Sequence, residues 1–234
     1  LQQDEKIKAI IPTTDFDESK SLVFFTKNGI VKRTKLSEYS NIRANGVRAI
    51  NLDEDDEIIT AKISDQETKW FFIATRKGQC IRFKVDDVRE IGRIGRGVAG
   101  IKFKIEGDSV CAANAIKDEE EEMLVVSQKG LAKRTTASEY REQSRAGKGV
   151  IAMKLTSKTG DLIGVVIVED DKDLMSLTSV GKMIRVDMQT IRKAGRNTSG
   201  VRMVRVEGSD TVVSVAKCPK DEEESNTEEG NSDE

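Results

Sequence analysis

Trp70-Phe-Phe-Ile-Ala-Thr-Arg-Lys-Gly78-Gln-Cys-Ile-Arg82-Phe83 is the stretch that decides the fold. Its first five residues are apolar without a break. A strand with one wet face alternates apolar and polar side chains, and this one does not. It is therefore expected to be packed on both faces. Gly78 then turns the chain, and a second short strand follows that carries Arg82.

The same arrangement recurs along the chain. Gly29, Gly78, Gly130 and Gly181 follow one another at intervals of 49, 52 and 51 residues. Each follows an apolar run: Leu22 to Phe25, Trp70 to Ala74, Met123 to Val126, and Leu174 to Leu177. Each has an arginine four residues later: Arg33, Arg82, Arg134 and Arg185. A second glycine comes 17 to 19 residues after the first, always before valine, at Gly46-Val47, Gly97-Val98, Gly149-Val150 and Gly200-Val201. An opening strand precedes each run, at Ile7 to Ile11, Ile58 to Ile63, Val110 to Ile116 and Leu162 to Val168. A short turn follows the arginine strand, at Leu36 to Tyr39 and its counterparts. A last strand follows Gly-Val, as in Val47 to Leu52. The unit thus has four short strands in roughly 51 residues, with no sustained helical period, which is the signature of a β-propeller blade. The chain is expected to be all-β and propeller-like. Its units run at approximately 4–53, 54–106, 107–159 and 160–209, with a closing strand at 210–218. Four blades can close a ring, and a larger ring or an open arc is equally allowed.

Composition removes several classes of function. The chain of 234 residues contains no histidine, which excludes Ser-His-Asp and Cys-His catalysis and histidine metal sites. Cys80, Cys111 and Cys218 are far apart and suit a reducing compartment. No run approaches the ~18 apolar residues of a membrane span, and no signal-peptide pattern opens the chain. The chain begins with Leu1, not Met, and is taken as a piece of something longer. No catalytic residue, metal or cofactor is expected.

The charge is sorted within every unit. The formal net charge is -2, but residues 221–234 hold eight acids and no base. This acidic tail buries too little to order itself and is expected to be disordered, with a possible role as a decoy for the cations. Turns after the opening strands are acidic. The arcs 27–48, 76–104, 128–154 and 181–205 carry net charges of +5, +6, +5 and +6. Rotated copies of a basic arc form a curved positive belt, and such a belt fits a bent polyanion. Bending duplex DNA costs several kcal/mol and needs many phosphate contacts in return. Arginine beside small residues recurs at Arg43-Ala-Asn-Gly46, Arg93-Ile-Gly-Arg-Gly97, Arg145-Ala-Gly-Lys-Gly149 and Arg196-Asn-Thr-Ser-Gly200, where arginine can clasp a phosphate and the backbone can approach it. The candidate DNA contacts are Lys32, Arg33, Arg43, Arg48, Arg82, Lys84, Arg93, Arg96, Lys133, Arg134, Arg145, Lys148, Arg185, Arg196 and Arg202. A propeller that scaffolds proteins without touching DNA is the alternative. An enzyme would need converging carboxylates, and here the acids cluster in turns and tail.

Several stretches resemble the C-terminal domain of bacterial DNA gyrase A. They are Asp4 to Pro12, Gly29-Ile-Val-Lys-Arg-Thr34 with Leu36-Ser-Glu-Tyr39, Lys133-Arg-Thr135 with Ser138-Glu-Tyr140, Ser144-Arg145 with Gly147 to Val150, and Gly195-Arg-Asn-Thr-Ser-Gly-Val201. The resemblance implies a six-bladed β-pinwheel, of which the four units would be the last four, wrapping double-stranded DNA around its perimeter. It implies as partners the rest of gyrase A together with gyrase B, in an ATP-dependent type II topoisomerase of the bacterial cytoplasm, associated with the nucleoid, that introduces negative supercoils. The family's diagnostic Gln-Arg-Arg-Gly-Gly-Arg/Lys-Gly box is absent. Gln143-Ser-Arg-Ala-Gly-Lys-Gly149 is a degenerate copy. Neither Tyr39 nor Tyr140 inherits the DNA-cleaving role, which belongs to the N-terminal part of gyrase A. The corresponding protein of topoisomerase IV has a less regular version of the domain, and four well-kept repeats favour gyrase.

Overall fold

The computed structural model describes residues 6–41 and 43–220, so the tail at 221–234 lies outside the described residues. Fifteen strands are described: β1 Ser21–Thr26, β2 Ile30–Lys35, β3 Ile58–Ser64, β4 Trp70–Thr75, β5 Gln79–Lys84, β6 Val98–Ala99, β7 Val110–Ile116, β8 Glu122–Ser127, β9 Leu131–Thr136, β10 Val150–Ile151, β11 Leu162–Ile167, β12 Lys172–Thr178, β13 Met183–Val186, β14 Val201–Arg202 and β15 Val212–Pro219. Short 3-10 turns occupy Leu36–Tyr39, Val85–Asp87, Ala137–Glu139 and Met188–Thr190. Among the described residues no helix is long and apolar enough to cross a membrane.

The sheets are antiparallel and propeller-like, as the strand pattern predicts, but their phase differs from that of the sequence units. Their strand orders are β3-β1-β2-β6, β7-β4-β5-β10, β11-β8-β9-β14 and β15-β12-β13. Each of the first three blades takes its two middle strands from one unit. Its innermost and outermost strands come from the next unit. The innermost strands β3, β7, β11 and β15 lie side by side in that order and together line an axial channel. Consecutive units are thereby interlocked.

This exchange explains two departures from expectation. Ile7 to Ile11 form no strand, and Ile7 and Ile10 are 65% and 83% exposed. Val47 to Leu52 likewise form no strand. In later units these segments pair with strands of the preceding unit, and the first unit has none before it among the described residues. The outermost strands are also shorter than expected, only two residues each.

The core lies between blades. From β4, Phe71 and Ile73 pack with Val23 and Phe25 of the first blade. Phe72 and Ala74, which point the other way, pack with Met123, Val125 and Tyr140 of the third. Phe25 and Phe71 meet edge-on at 5.7 Å, and Phe72 meets Tyr140 at 5.1 Å. Alternate side chains thus face different neighbours, and that is why the run beginning at Trp70 does not alternate. Trp70 itself is only half-buried.

The second glycine of each unit marks where an outermost strand meets the preceding blade. Gly149 has φ +70°, and a Cβ there would stand 2.3 Å from the Cys80 carbonyl oxygen. Gly200 repeats this against the Ala132 carbonyl at 2.4 Å. Gly46, which meets no preceding blade among the described residues, has φ +72° and open space around it.

Candidate nucleic-acid interface

The repeated Lys-Arg-Thr of the second middle strand points between blades and not outward. Lys32 and Lys133 are fully buried. The Lys32 ammonium donates to the carbonyls of Ala49 at 2.6 Å and Arg93 at 2.5 Å. The Lys133 ammonium donates to the carbonyls of Gly195 at 2.9 Å and Arg196 at 2.6 Å. Burial lowers both lysines to a pKa of about 8. Thr34 and Thr135 hydroxyls donate to the Ile91 and Ala194 carbonyls, each at 2.8 Å. Apart from the Lys32–Ala49 bond, which stays within the first unit, the motif staples one unit's strand to the rim loop of the next. Lys32 and Lys133 are therefore corrected from DNA contacts to structural groups, since neither has surface for a phosphate to meet.

The arginines four residues after the first glycine are also committed. Arg82 is 4% exposed; its Nε donates to the Tyr140 carbonyl at 2.8 Å and its Nη1 to Glu119 at 2.9 Å. Arg134 donates to the Ile191 carbonyl at 2.7 Å and pairs with Glu122 at 3.1 Å. Arg33 bonds Ser21 at 3.2 Å and approaches Glu90 at 3.4 Å. Arg185 pairs with Asp173 at 2.7 Å and donates to the Pro219 carbonyl at 2.7 Å. The acidic turns supply three of these carboxylates, Glu119, Glu122 and Asp173. They neutralise Arg82, Arg134 and Arg185, and Glu90 meets Arg33. Arg33, Arg82 and Arg134 thereby leave the group of free surface cations, while Arg185 is exposed and makes its ion pair within the fourth blade.

The other nine predicted cations stand on the outer rim. Arg43, Arg48, Lys148 and Arg202 are exposed and Arg93 is half-exposed. Among the described residues none of these five side chains has a hydrogen bond or ion pair. Lys84 lies 3.6 Å from Glu142, and Arg96 pairs with Asp53, both on the surface. Arg145 and Arg196 brace the rim. Arg145 Nε donates to the Asp87 carbonyl at 3.0 Å, and Arg196 Nη1 reaches the Ile151 carbonyl at 3.5 Å.

Backbone bonds make the rim continuous from blade to blade. Each cationic turn lies against the rim segment of the unit before it. The Lys102 N–H donates to the Gly147 carbonyl at 2.9 Å, the Ala146 N–H to that of Gly100 at 2.8 Å, and the Lys154 N–H to that of Thr198 at 3.1 Å. Ala146 takes φ 61° to make this turn, the one positive φ among the described non-glycine residues.

Sequence reasoning did not single out a second row of cations. Lys102, Lys104, Lys154 and Lys158 are exposed without side-chain partners among the described residues. Lys129 and Lys158 join Arg202 and Arg205 around an open groove of about 990 Å³ at the edge of the third blade. The available signal was the alternation after the Gly-Val pair, as in Ile101-Lys102-Phe103-Lys104, where polar residues fall on the outward side.

Comparison with known proteins gives one consistent picture. A family profile described as "DNA gyrase C-terminal domain, beta-propeller" matches residues 20–65, 69–116, 121–169 and 172–219. Each segment runs from the middle strands of one blade to its innermost strand, so the outermost strand that falls within it belongs to the blade before. DNA gyrase A of Campylobacter fetus is 58% identical over 95% of this chain, which covers 29% of that protein. DNA gyrase A of Helicobacter pylori strain 26695 is 52% identical over 97% of this chain, covering 27% of that protein. The chain therefore spans less than a third of these relatives. The solved C-terminal domain of DNA topoisomerase IV superimposes with a TM-score of 0.84 at 27% identity, over 94% of this chain and 68% of the other. The solved DNA gyrase A C-terminal domain gives 0.82 at 26% identity, over 93% and 72%.

Proposed function

The chain belongs to the DNA gyrase C-terminal β-propeller domain family, and from that premise we propose that it binds duplex DNA without sequence preference and bends it around its outer rim. The observation that carries this reading is the division of the cations. The inner set, Arg185 apart, is consumed in holding consecutive units together, while an outer set faces solvent along a rim that runs from blade to blade. Phosphate contacts of this kind position a duplex and carry no sequence information. The described residues include no α-helix that could enter a major groove. In the whole enzyme such a wrap would present DNA for strand passage and support ATP-driven negative supercoiling, with the rest of gyrase A and with gyrase B as partners in the bacterial cytoplasm. The domain itself contributes no catalytic group in this reading.

Counterion release provides the test. Neutralising ~6 to 8 phosphates gives a log K against log salt slope of roughly -5 to -7. Titrating linear duplexes of unrelated sequence should give that slope for each. A slope near zero would reject DNA binding. Relaxed plasmid, closed by ligase in the presence of the chain and then deproteinised, reports bending and handedness together as a change in linking number. An unchanged linking number with a steep salt slope would leave binding and reject wrapping.

A further inference from the structure

The axial channel contains cations that the rim does not explain. A cavity of about 390 Å³ lies among the innermost strands, and three cationic residues, Lys8, Lys62 and Arg76, line it without a carboxylate. Lys8 is paired with Glu57. Lys62 and Arg76 have no side-chain hydrogen bond or ion pair among the described residues. Lys62 projects from β3, the innermost strand of the first blade, and is partly shielded from solvent. Its pKa is lowered, first by burial and then by the ammonium of Lys217 on β15. Lys217 is itself satisfied by Glu169. The Cys111 thiol on the same wall donates to the Ala74 carbonyl at 3.6 Å; burial, with Asp108 and Asp161 acting in the same direction, holds it protonated, so the thiol brings no negative charge and the nearby carboxylates lie at the Arg76 end.

A partly desolvated ammonium without a counter-charge is unfavourable unless something neutralises it. The channel offers further donors of the right kind. Strands β3, β7, β11 and β15 each end a sheet, so backbone groups along their inner edges meet no further strand, although the N–H groups of Val110, Leu162 and Val212 are bound by the Lys27, Arg76 and Gln128 carbonyls. Gly164 keeps the wall tight, because a Cβ there would stand 2.6 Å from Val215 Cγ2.

We propose that the axial channel is a binding site for a small phosphate-type oxyanion, held by Lys62 and Arg76 together with free strand-edge N–H groups. An anion there would relieve the repulsion between Lys62 and Lys217 and tie the first blade to the last. The site is separate from the rim and does not depend on the DNA reading.

Isothermal titration of the DNA-free chain with inorganic phosphate, at ionic strength held constant with chloride, tests it. A parallel titration with ATP distinguishes free phosphate from the phosphates of a nucleotide. Saturable binding of either is expected, weakened at least tenfold by Lys62→Met and several-fold by Arg76→Gln. It should be kept by the rim double variant Arg48→Ala/Arg202→Ala. Lys62→Met should keep its DNA salt slope, which separates the two readings. NMR of the Lys62 side chain gives a readout on the unmodified chain, in which bound anion raises the lysine pKa. No saturable binding, wild-type affinity in Lys62→Met, or a Lys62 titration indifferent to phosphate would each overturn the proposal.

Discussion

Arg82 Nε donates to the Tyr140 carbonyl oxygen at 2.8 Å across the boundary between the second and third blades. The same guanidinium lies 4.9 Å over the Trp70 ring and binds Glu119, while Trp70 Nε1 donates to Glu142 of the third blade at 2.8 Å. This arginine is a joint between blades. Arg82→Ala removes charge-assisted hydrogen bonds and leaves a buried carbonyl unsatisfied, at a cost of about 2–3 kcal/mol. Urea denaturation should show that loss, while the salt dependence of DNA binding measured on the folded variant should stay as in the parent. A stable variant with a shallower salt slope would return Arg82 to the DNA interface.

The buried lysines make stability depend on alkaline pH. Lys32 and Lys133 have pKa values of about 8 in the fold, against about 10.4 in an unfolded chain. Between those values the unfolded state binds more protons, so unfolding free energy rises as pH rises from 8 towards 10. Denaturation midpoints at pH 7.5, 8.5 and 9.5 should increase in that order once surface-charge effects are controlled with salt. Lys133→Met, which removes one of the two groups, should take away about half of the rise. A midpoint that falls over this range would contradict the assignment.

Repetition was legible in the sequence because glycine turns and apolar runs are local. The unbroken run from Trp70 correctly implied packing on both faces. The phase of the blades was not legible. A repeated string has no natural start, and Ile58 to Ile63 reads the same whether it opens its own unit or closes the sheet of the unit before. The cations divided for a related reason. Lys133 and Lys148 contribute equally to a net charge, and only the neighbouring blade decides which is covered. Lys133 precedes an arginine and a threonine whose partners are backbone atoms more than fifty residues away. Exposure was legible where a cation follows Gly-Val or stands in the turn before it, as with Arg48, Arg202 and Lys148.

Rim cations should separate from braces in paired measurements. Lys148 and Arg202 are exposed and have no partner among the described residues, so Lys148→Ala and Arg202→Ala should each reduce the salt slope by about one. Stability should stay within about 0.5 kcal/mol of the parent, as for ordinary surface substitutions. Arg145 both faces the rim and holds the Asp87 carbonyl at 3.0 Å. Its alanine variant should lower the slope and also lose about 1 kcal/mol or more of stability. Equal stability losses at Lys148 and Arg145 would remove the distinction between a contact and a brace.

Gly46 and Gly149 form a natural control pair for the approach of one blade to the next. Both have nearly the same backbone, φ +72° and φ +70°, so the left-handed conformation costs an alanine about 1–2 kcal/mol at either position. Only Gly149 faces a neighbour, with the Cys80 carbonyl oxygen 2.3 Å from the position of an added Cβ. Backbone cannot swing aside as a side chain can. Gly149→Ala must push β10 off β5, adding roughly 1–3 kcal/mol of overpacking and breaking the pairing of Val150 with Cys80. Urea denaturation of the two variants should therefore differ by at least about 1 kcal/mol. Hydrogen exchange should quicken at Val150 in the second variant and not in the first. Equal destabilisation would mean that the outermost strand is not held against the preceding blade in solution, and the continuous rim would lose its support.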